Sequence, residues 1–415
     1  MQVIQNRKLE NLAGLRCPSR EGNGSGGSPV VVFVKGNLWM IQADLKNYVD
    51  NHFDEAIDLL RTLGKIPAPS HQEDKRAEFC RDWFMSQGAK QVEIDEAKNV
   101  ICTIAGRKVD EYVVIMAHTD VVFSDTEELP MHEEDGKLFA PGIGDDTANL
   151  VNLMMAVKYL LEKKITPLQT LIFVANACEE GLGNLKGSKQ ILKDYGLSIK
   201  EWLSFDGHMG ACTDRAVGSH RYQVTVRTQG GHSYGDFGRD NSIAVLAEMI
   251  HDLYQVEVPK REKTTYNVGV IEGGSTVNSI AQKASMLYEF RSADQSCLEE
   301  MKGKFNAVIE KYRNRGYDVE VEIIGIRPGS GTVDAAKLQA LTDADVAVIK
   351  ACYDGKVSVH PGSTDANIPL SVGIPANTFG TVSGDLSHTR EEWIEIESMR
   401  PGFLIALMTV MRYCS

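Results

Sequence analysis

Tyr112-Val113-Val114-Ile115-Met116-Ala117 is an almost unbroken apolar run, and His118-Thr119-Asp120 follows it at once. A short run with no polar alternation suits a strand buried on both faces. Leu171-Ile172-Phe173-Val174-Ala175 is a second such run, and Trp202-Leu203-Ser204-Phe205 a third. Helical stretches fall between them, notably Asn149 to Lys163. Upstream, Leu45 to Leu63 and Glu73 to Gln87 carry apolar residues at the three- and four-residue spacing of amphipathic helices, and Gln91 to Ile104 alternates like a pair of strands. Strand, helix, strand alternation predicts an α/β fold, a mostly parallel sheet covered by helices.

Beyond this region the pattern changes. Tyr222 to Thr228, Thr265 to Ile271, Ala284 to Arg291 and Val319 to Ile326 read as strands, and Ser242 to Tyr254 and Leu298 to Arg313 as helices. The order βαββαβ predicts a ferredoxin-like α+β domain. We bound this insert at residues 215–326, because α/β character returns after Arg327-Pro328-Gly329. The main domain then comprises residues 40–214 and 327–415. Residues 1–39, with Gly22-Asn23-Gly24-Ser25-Gly26-Gly27-Ser28, have the composition of a flexible extension.

A chain of 415 residues, 43% of them hydrophobic, is too long for one ordinary core, in keeping with two domains. Its formal net charge of −13 repels phosphate backbones, so no nucleic-acid partner is expected. The eight cysteines form no CxxC pair, which argues against a four-thiolate zinc site or a disulfide framework and for a cytoplasmic protein. No apolar run reaches the roughly 20 residues that span a bilayer, so no membrane association is expected.

Five polar clusters sit where the apolar runs end, the place where ligands gather in open α/β sheets. The first, His118-Thr119-Asp120, offers a zinc-type imidazole with a carboxylate two residues on, or simply a capping His and a turn Asp. In Gly142-Ile143-Gly144-Asp145-Asp146-Thr147 the paired acids either cap a helix or present Asp145 as a ligand bridging two cations. Two adjacent acids in Cys178-Glu179-Glu180-Gly181 are costly together unless positive charge lies between them. One can then bind a metal while the other moves a proton. Asp206 in Phe205-Asp206-Gly207 and His388 in Ser387-His388-Thr389 complete the set. Each alone is ordinary loop chemistry. Together they supply carboxylate oxygen and imidazole nitrogen suited to zinc, manganese or cobalt, and a shared Asp spaces two ions roughly 3.5–4 Å apart.

HTDVV, GIGDDTA, ACEEGLG, SFDG and SHT occur in the order and spacing of the peptidase T-like branch of the zinc aminopeptidase, glutamate carboxypeptidase, dipeptidase and aminoacylase superfamily, which the chain resembles from about residue 45 onward. The resemblance implies the zinc-exopeptidase fold and two divalent metal ions, zinc first, with manganese or cobalt as substitutes. His118 and Asp206 would complete one metal site, Glu180 and His388 the other, and Asp145 would bridge them through a loop whose Asp145–Asp146 bond is cis. Asp120 would orient His118, and Glu179 would be the general base. Gly230-Gly231-His232-Ser233 resembles the lid motif, whose His232 would help to hold the oxyanion. Asn278 and Arg291 fall in segments resembling substrate contacts, although a plain ion pair also accounts for Arg291. By the same resemblance the insert would form a homodimer and close over a small peptide substrate. Thr147 departs from the pattern, because many relatives carry Lys there, and this weakens any transfer of substrate preference.

The implied activity is metal-dependent cleavage of di- and tripeptides from one end. Removal of acyl groups from amino acids is the alternative within the superfamily. A non-catalytic metal-binding protein is a more remote reading, in which Glu179 has no purpose. Gly231-His232-Ser233-Tyr234-Gly235 also fits G-x-S-x-G, the elbow of serine hydrolases, but that motif needs an immediate helix, and Asp236 to Arg239 intervene.

Overall fold

The computed structural model describes residues 35–414. The chain divides into two compact units: the first runs to Asp214 and resumes over Asp334–His360 and Ile374–Ser415, and the second is Arg215–Val333 with Pro361–Gly373. The expected extension lies, up to residue 34, outside the described residues. Residues 35–39 belong to a helix, Lys35–Gly64. The second unit is larger than the 215–326 insert read from sequence. Asn367 explains the added segments, since its Nδ2 donates to the carbonyls of Val217 and Pro328, both at 2.9 Å, and so ties the 361–373 segment to that unit.

The first unit is built on an eight-stranded sheet. Its spatial order is Val92–Ile94, Val100–Ile104, Gln169–Asn176, Lys108–His118, Ile199–Phe205, Ala376–Phe379, Ala211–Ala216 and Ser358–Gly362. Lys108–His118 runs parallel to both its neighbours, and Ile199–Phe205 is parallel to Ala376–Phe379. Val100–Ile104 and Ala211–Ala216 join these strands antiparallel. Within Lys108–His118 the residues from Val113 onward are all buried, as the apolar run requires. Register then aligns strand ends: His118 lies opposite Asn176, and Phe205 opposite Phe379. The loops that follow these strands therefore emerge side by side.

Helix Ala148–Glu162 is buried without a break from Ala148 to Leu160. It is mostly apolar and buried all round, with its buried polar members Asn149, Asn152 and Lys158 each paired, and it contacts Lys35–Gly64 and Met399–Met411. Each fully buried Leu or Met there stabilises by about 1.5–3 kcal/mol. A second sheet, of four short antiparallel strands, was not legible in the sequence. Its order is Gly384–Asp385, Trp393–Glu395, Lys137–Phe139 and His132–Glu134. Strands of two and three residues are too short to show alternation, yet they join the 132–139 region to the 384–395 region.

The second unit is built on a four-stranded antiparallel sheet, ordered Thr264–Gly273, Lys283–Ser292, Gly218–Arg227 and Asp318–Arg327. Helices Ser242–Tyr254 and Gln295–Asn314 pack on it, and the chain order is the expected βαββαβ. Lys283–Ser292 shows why it was legible: alternate residues from Ala284 to Ser292 are buried. Both helices start on a side-chain cap, Asn241 accepting from the Ile243 amide and Asp294 from the Cys297 amide. Tyr222, Tyr288, Phe290, Phe305 and Tyr312 form the aromatic part of a core separate from that of the first unit.

Among the described residues no helix is long and apolar enough to cross a membrane, and the seven cysteines are all free thiols.

Gly402 lets Met399–Met411 approach Thr381 closely: a Cβ there would lie 1.6 Å from the Thr381 carbonyl oxygen. Gly402→Ala is expected to destabilise the first unit by about 1–3 kcal/mol or more through overpacking. Urea unfolding followed by intrinsic fluorescence measures this, and an unchanged midpoint would show that the helix can shift at no cost.

Candidate metal centre

The aligned strand ends deliver the site. His118 is the last residue of its strand, Asp206 follows Phe205, and Glu179 and Glu180 follow Asn176 after a short turn. Asp145 arrives from the Gly142–Thr147 loop and His388 from the turn between Gly384–Asp385 and Trp393–Glu395. Three overlapping groups of ligand-type atoms lie within 4.8 Å of one another: His118, Asp145 and Asp206; Asp145, Glu180 and His388; and His118, Glu179 and Glu180. The residues singled out as ligands and base in the first unit thus come together.

Asp145 occupies the middle. Its Oδ1 lies 3.0 Å from His118 Nε2 and its Oδ2 3.2 Å from His388 Nε2, while His388 Nε2 is also 3.1 Å from Glu180 Oε1. The other nitrogen of His118, Nδ1, is 2.9 Å from the Asp120 carbonyl oxygen. A carbonyl only accepts, so Nδ1 carries the hydrogen. The neutral ring then turns a lone pair toward an Asp145 oxygen that is itself an acceptor, and only a cation or a second proton makes that contact favourable. The donor set fits a metal: bonds of roughly 2.0–2.1 Å to a tetrahedral zinc put ligand atoms about 3.3 Å apart, close to the spacings seen.

Protonation follows the same excess of negative charge. Burial opposes a charged His118, but Asp146, Asp120 and Asp145 outweigh it and raise its pKa well above the ordinary value. Bonds to Asp145 and Glu180 raise His388 to about 11. Burial alone would raise Asp145, yet the two imidazoles hold it below the usual carboxylate range. The carboxylates draw positive charge onto whatever lies between them.

Other side chains hold these groups in place. The Asp120 carboxylate stands 3.5 Å from His118 Nδ1, farther than its own carbonyl; instead it accepts from the amides of Glu179 at 2.9 Å and Glu180 at 3.0 Å, and from Ser70 Oγ at 2.6 Å. Its geometry orients the two glutamates more directly than it orients His118. Asp146 Oδ2 accepts from the His118 amide, and the Asp145–Asp146 peptide is cis. Asn149 Nδ2 donates to the Gly207 carbonyl, next to Asp206. Arg76 is fully buried and donates to the carbonyls of Thr119 and Ile66 and to Thr147 Oγ1; burial lowers its pKa to about 10. Thr147 is thus a packed structural residue, and its hydroxyl donates to the Gly142 carbonyl. Glu392, also fully buried, accepts from the amides of Gly142, Gly144 and Asp145, each at 2.8 Å.

Sequence reading missed Ser70, Arg76, Asn149 and Glu392. Arg76 left a signal, a charge on the Arg76, Ala77, Cys80, Phe84 face that is buried. Glu392 left none, because its partners lie some 250 residues earlier.

His232, Asn278 and Arg291 lie in the second unit. The Gly231–His232 strand pairs with Ser279–Ile280, and the Asn278 carbonyl accepts from the Ser233 amide, so the His232 and Asn278 segments are neighbours. His232 Nδ1 accepts from the amides of Tyr234 and Gly235. Its Nε2 therefore carries the hydrogen, in an exposed side chain. Arg291 forms two hydrogen bonds with Glu289, the plain ion pair. After Ser233 no helix begins before Ser242, so the serine-elbow geometry is absent.

Residues 114–412 match the family model described as peptidase family M20/M25/M40. The Bacillus subtilis protein YqjE, described as uncharacterized, is 26% identical over 314 residues, covering 73% of this chain and 81% of that protein. A putative succinyl-diaminopimelate desuccinylase, DapE, of Mycobacterium tuberculosis is 23% identical over 354 residues, 82% of this chain and 94% of its own length. Among solved structures, aminopeptidase PepT from Bacillus cereus superposes with a TM-score of 0.66 at 21% identity, covering 88% of this chain and 99% of that one.

If the facing acceptors mark a cation site, extensive dialysis against a chelator is expected to lower the melting temperature, and readdition of zinc to restore it. A ligand at 100 times its dissociation constant contributes about 2.7 kcal/mol. Differential scanning calorimetry makes the check, and an identical melting temperature with and without metal would contradict it.

Proposed function

The chain belongs to the peptidase family M20/M25/M40, and from that premise we propose that it is a two-metal exopeptidase cleaving di- and tripeptides. It is a hydrolase of the peptidase and amidohydrolase kind. The observation that carries the finer reading is Asp145 set between two imidazoles, with the Glu179 carboxylate, only 5% exposed, beside His118 and Glu180. His118, Asp145 and Asp206 would hold one divalent cation, and Asp145, Glu180 and His388 the other, with zinc as first choice and manganese or cobalt as substitutes. When bound, such ions polarise a carbonyl and lower the pKa of water.

The chain's own groups do the rest. Glu179 takes a proton from the attacking water and returns it to the departing amine. Its amide is anchored on Asp120, which limits where the carboxylate can swing. His232 presents a fixed Nε2–H suited to a developing oxyanion. Arg291 and Asn278 are proposed substrate contacts, Arg291 by exchanging Glu289 for a substrate carboxylate. The likeness to an aminopeptidase supports peptide substrates, while the relation to a putative desuccinylase supports deacylation of N-acyl amino acids as the second reading. A cytoplasmic location belongs to the same proposal and rests on the free, mostly buried thiols.

A mass-spectrometric panel of di-, tri- and N-acyl substrates separates the readings. Metal-dependent release of a terminal residue from peptides supports the first; cleavage of N-acyl amino acids alone supports the second. Glu179→Gln is expected to retain metal and lose about 10²–10⁴-fold in kcat. Turnover near that of the parent chain would remove Glu179 from its role.

We also propose a homodimer through the second unit. Thr264–Gly273 is an edge strand that exposes Val270 and Ile271, and an open edge pairs with a second copy across a two-fold axis. Sedimentation equilibrium should then give about twice the 45.7 kDa chain mass, and Ile271→Lys should shift it to monomer. A monomeric parent chain at micromolar concentration would refute this.

A further inference from the structure

Glu392 is four residues beyond His388, inside the first unit, and fully buried. Its Oε2 accepts from the Gly142 amide and its Oε1 from the amides of Gly144 and Asp145. Its backbone carbonyl accepts from the Ala140 amide at 3.1 Å, and the strand that follows, Trp393–Glu395, pairs with Lys137–Phe139. The loop from Ala140 to Asp145 is thus gripped along its length by one residue. Glycine makes this approach possible: a Cβ on Gly144 would stand 3.2 Å from Glu392 Oε1, and Gly142 has φ +72°, with a Cβ position 2.3 Å from Val121 Cγ1.

Three amides converging on one carboxylate form an anion-binding concavity, and bonds to a charged acceptor are stronger than neutral ones. The third amide belongs to Asp145 itself. Fixing that nitrogen restricts the backbone from which the Asp145 side chain projects, and both of its oxygens must meet separate imidazoles at 3.0 and 3.2 Å. His388 leaves the same short segment as Glu392, so one clamp references the bridging carboxylate and a terminal imidazole to each other.

We propose that Glu392 is a positioning residue for the metal centre, setting the place of Asp145 relative to His388. This rests on reading that centre as a metal site. The group bears neither on substrate nor on a bound ion, and it acts through the loop backbone.

The test uses the full chain with Glu392→Gln, which keeps the volume but turns an N–H toward an N–H. Zinc affinity is measured on metal-free protein by competition with a chromophoric chelator, alongside the melting temperature of the metal-free form. A positioning role predicts a 10- to 100-fold loss of zinc affinity, the size found for other outer groups of metal sites, in a protein that remains folded. Zinc affinity within twofold of the parent chain in a folded variant overturns the proposal. A parent chain that binds no divalent ion overturns the metal reading itself, a distinct result.

The second measurement needs no variant. If Glu392 couples the loop to the site, binding is reciprocal, and zinc must tighten the loop. Amide exchange in the 142–145 segment is expected to slow on zinc loading well beyond any change in helix Gln295–Asn314 of the second unit. Equal change in the two segments overturns the proposal even if Glu392→Gln fails to fold.

Discussion

Asp145 faces two imidazole nitrogens, and one of them, His118 Nε2, is in the neutral ring an acceptor like its own oxygens. Bringing that pair to 3.0 Å costs free energy unless positive charge joins them. Much of the first unit reads as the means of holding that unfavourable arrangement still. Asp146 secures the His118 backbone, Asp120 the amides of both glutamates, Glu392 the Asp145 amide, and Asn149 the carbonyl beside Asp206. Arg76 joins the Thr119 carbonyl to Thr147 from behind, a buried cation among acids. Each bond to a charged partner stabilises by about 1.5–3 kcal/mol, so several together can hold repelling groups that one could not.

The strands supply the coarse placement and the polar network the fine one. Parallel register sets His118 beside Asn176 and Phe205 beside Phe379, which brings loops within reach of one another. Ångström-scale aim then comes from carboxylates bonded to backbone amides. Backbone donors suit this purpose, because they have no rotamers to lose when they are fixed.

What could be read from sequence follows from range. Val113 to Ala117 announced a doubly buried strand because neighbouring residues carry the signal, and Ala284 to Ser292 did the same through alternation. His118, Asp145, Glu179, Glu180, Asp206 and His388 stood out by residue type at the ends of such runs. The four-stranded sheet around Lys137–Phe139 and Trp393–Glu395 did not, since its strands have too few residues for a period. Glu392 and Asn149 looked like ordinary polar residues because their partners are contributed from far away in the chain. Arg291 left two readings open, a substrate contact and a plain ion pair, and its partner Glu289 lies only two positions away.

The order of the proposed ligands along the chain has a consequence for how the protein matures. Glu180 and His388, 208 residues apart, meet in one group, and the whole second unit is synthesised between them. Ile199–Phe205 likewise waits for Ala376–Phe379 to become its parallel neighbour. Contacts of such long separation form late, after the intervening chain has been ordered. Until residue 388 has been made, the chain can offer His118, Asp145, Glu179, Glu180 and Asp206, but not the pair closed by His388. On the two-ion reading proposed above, the second ion waits for that segment, and the choice of metal falls to the compartment in which the chain completes its folding.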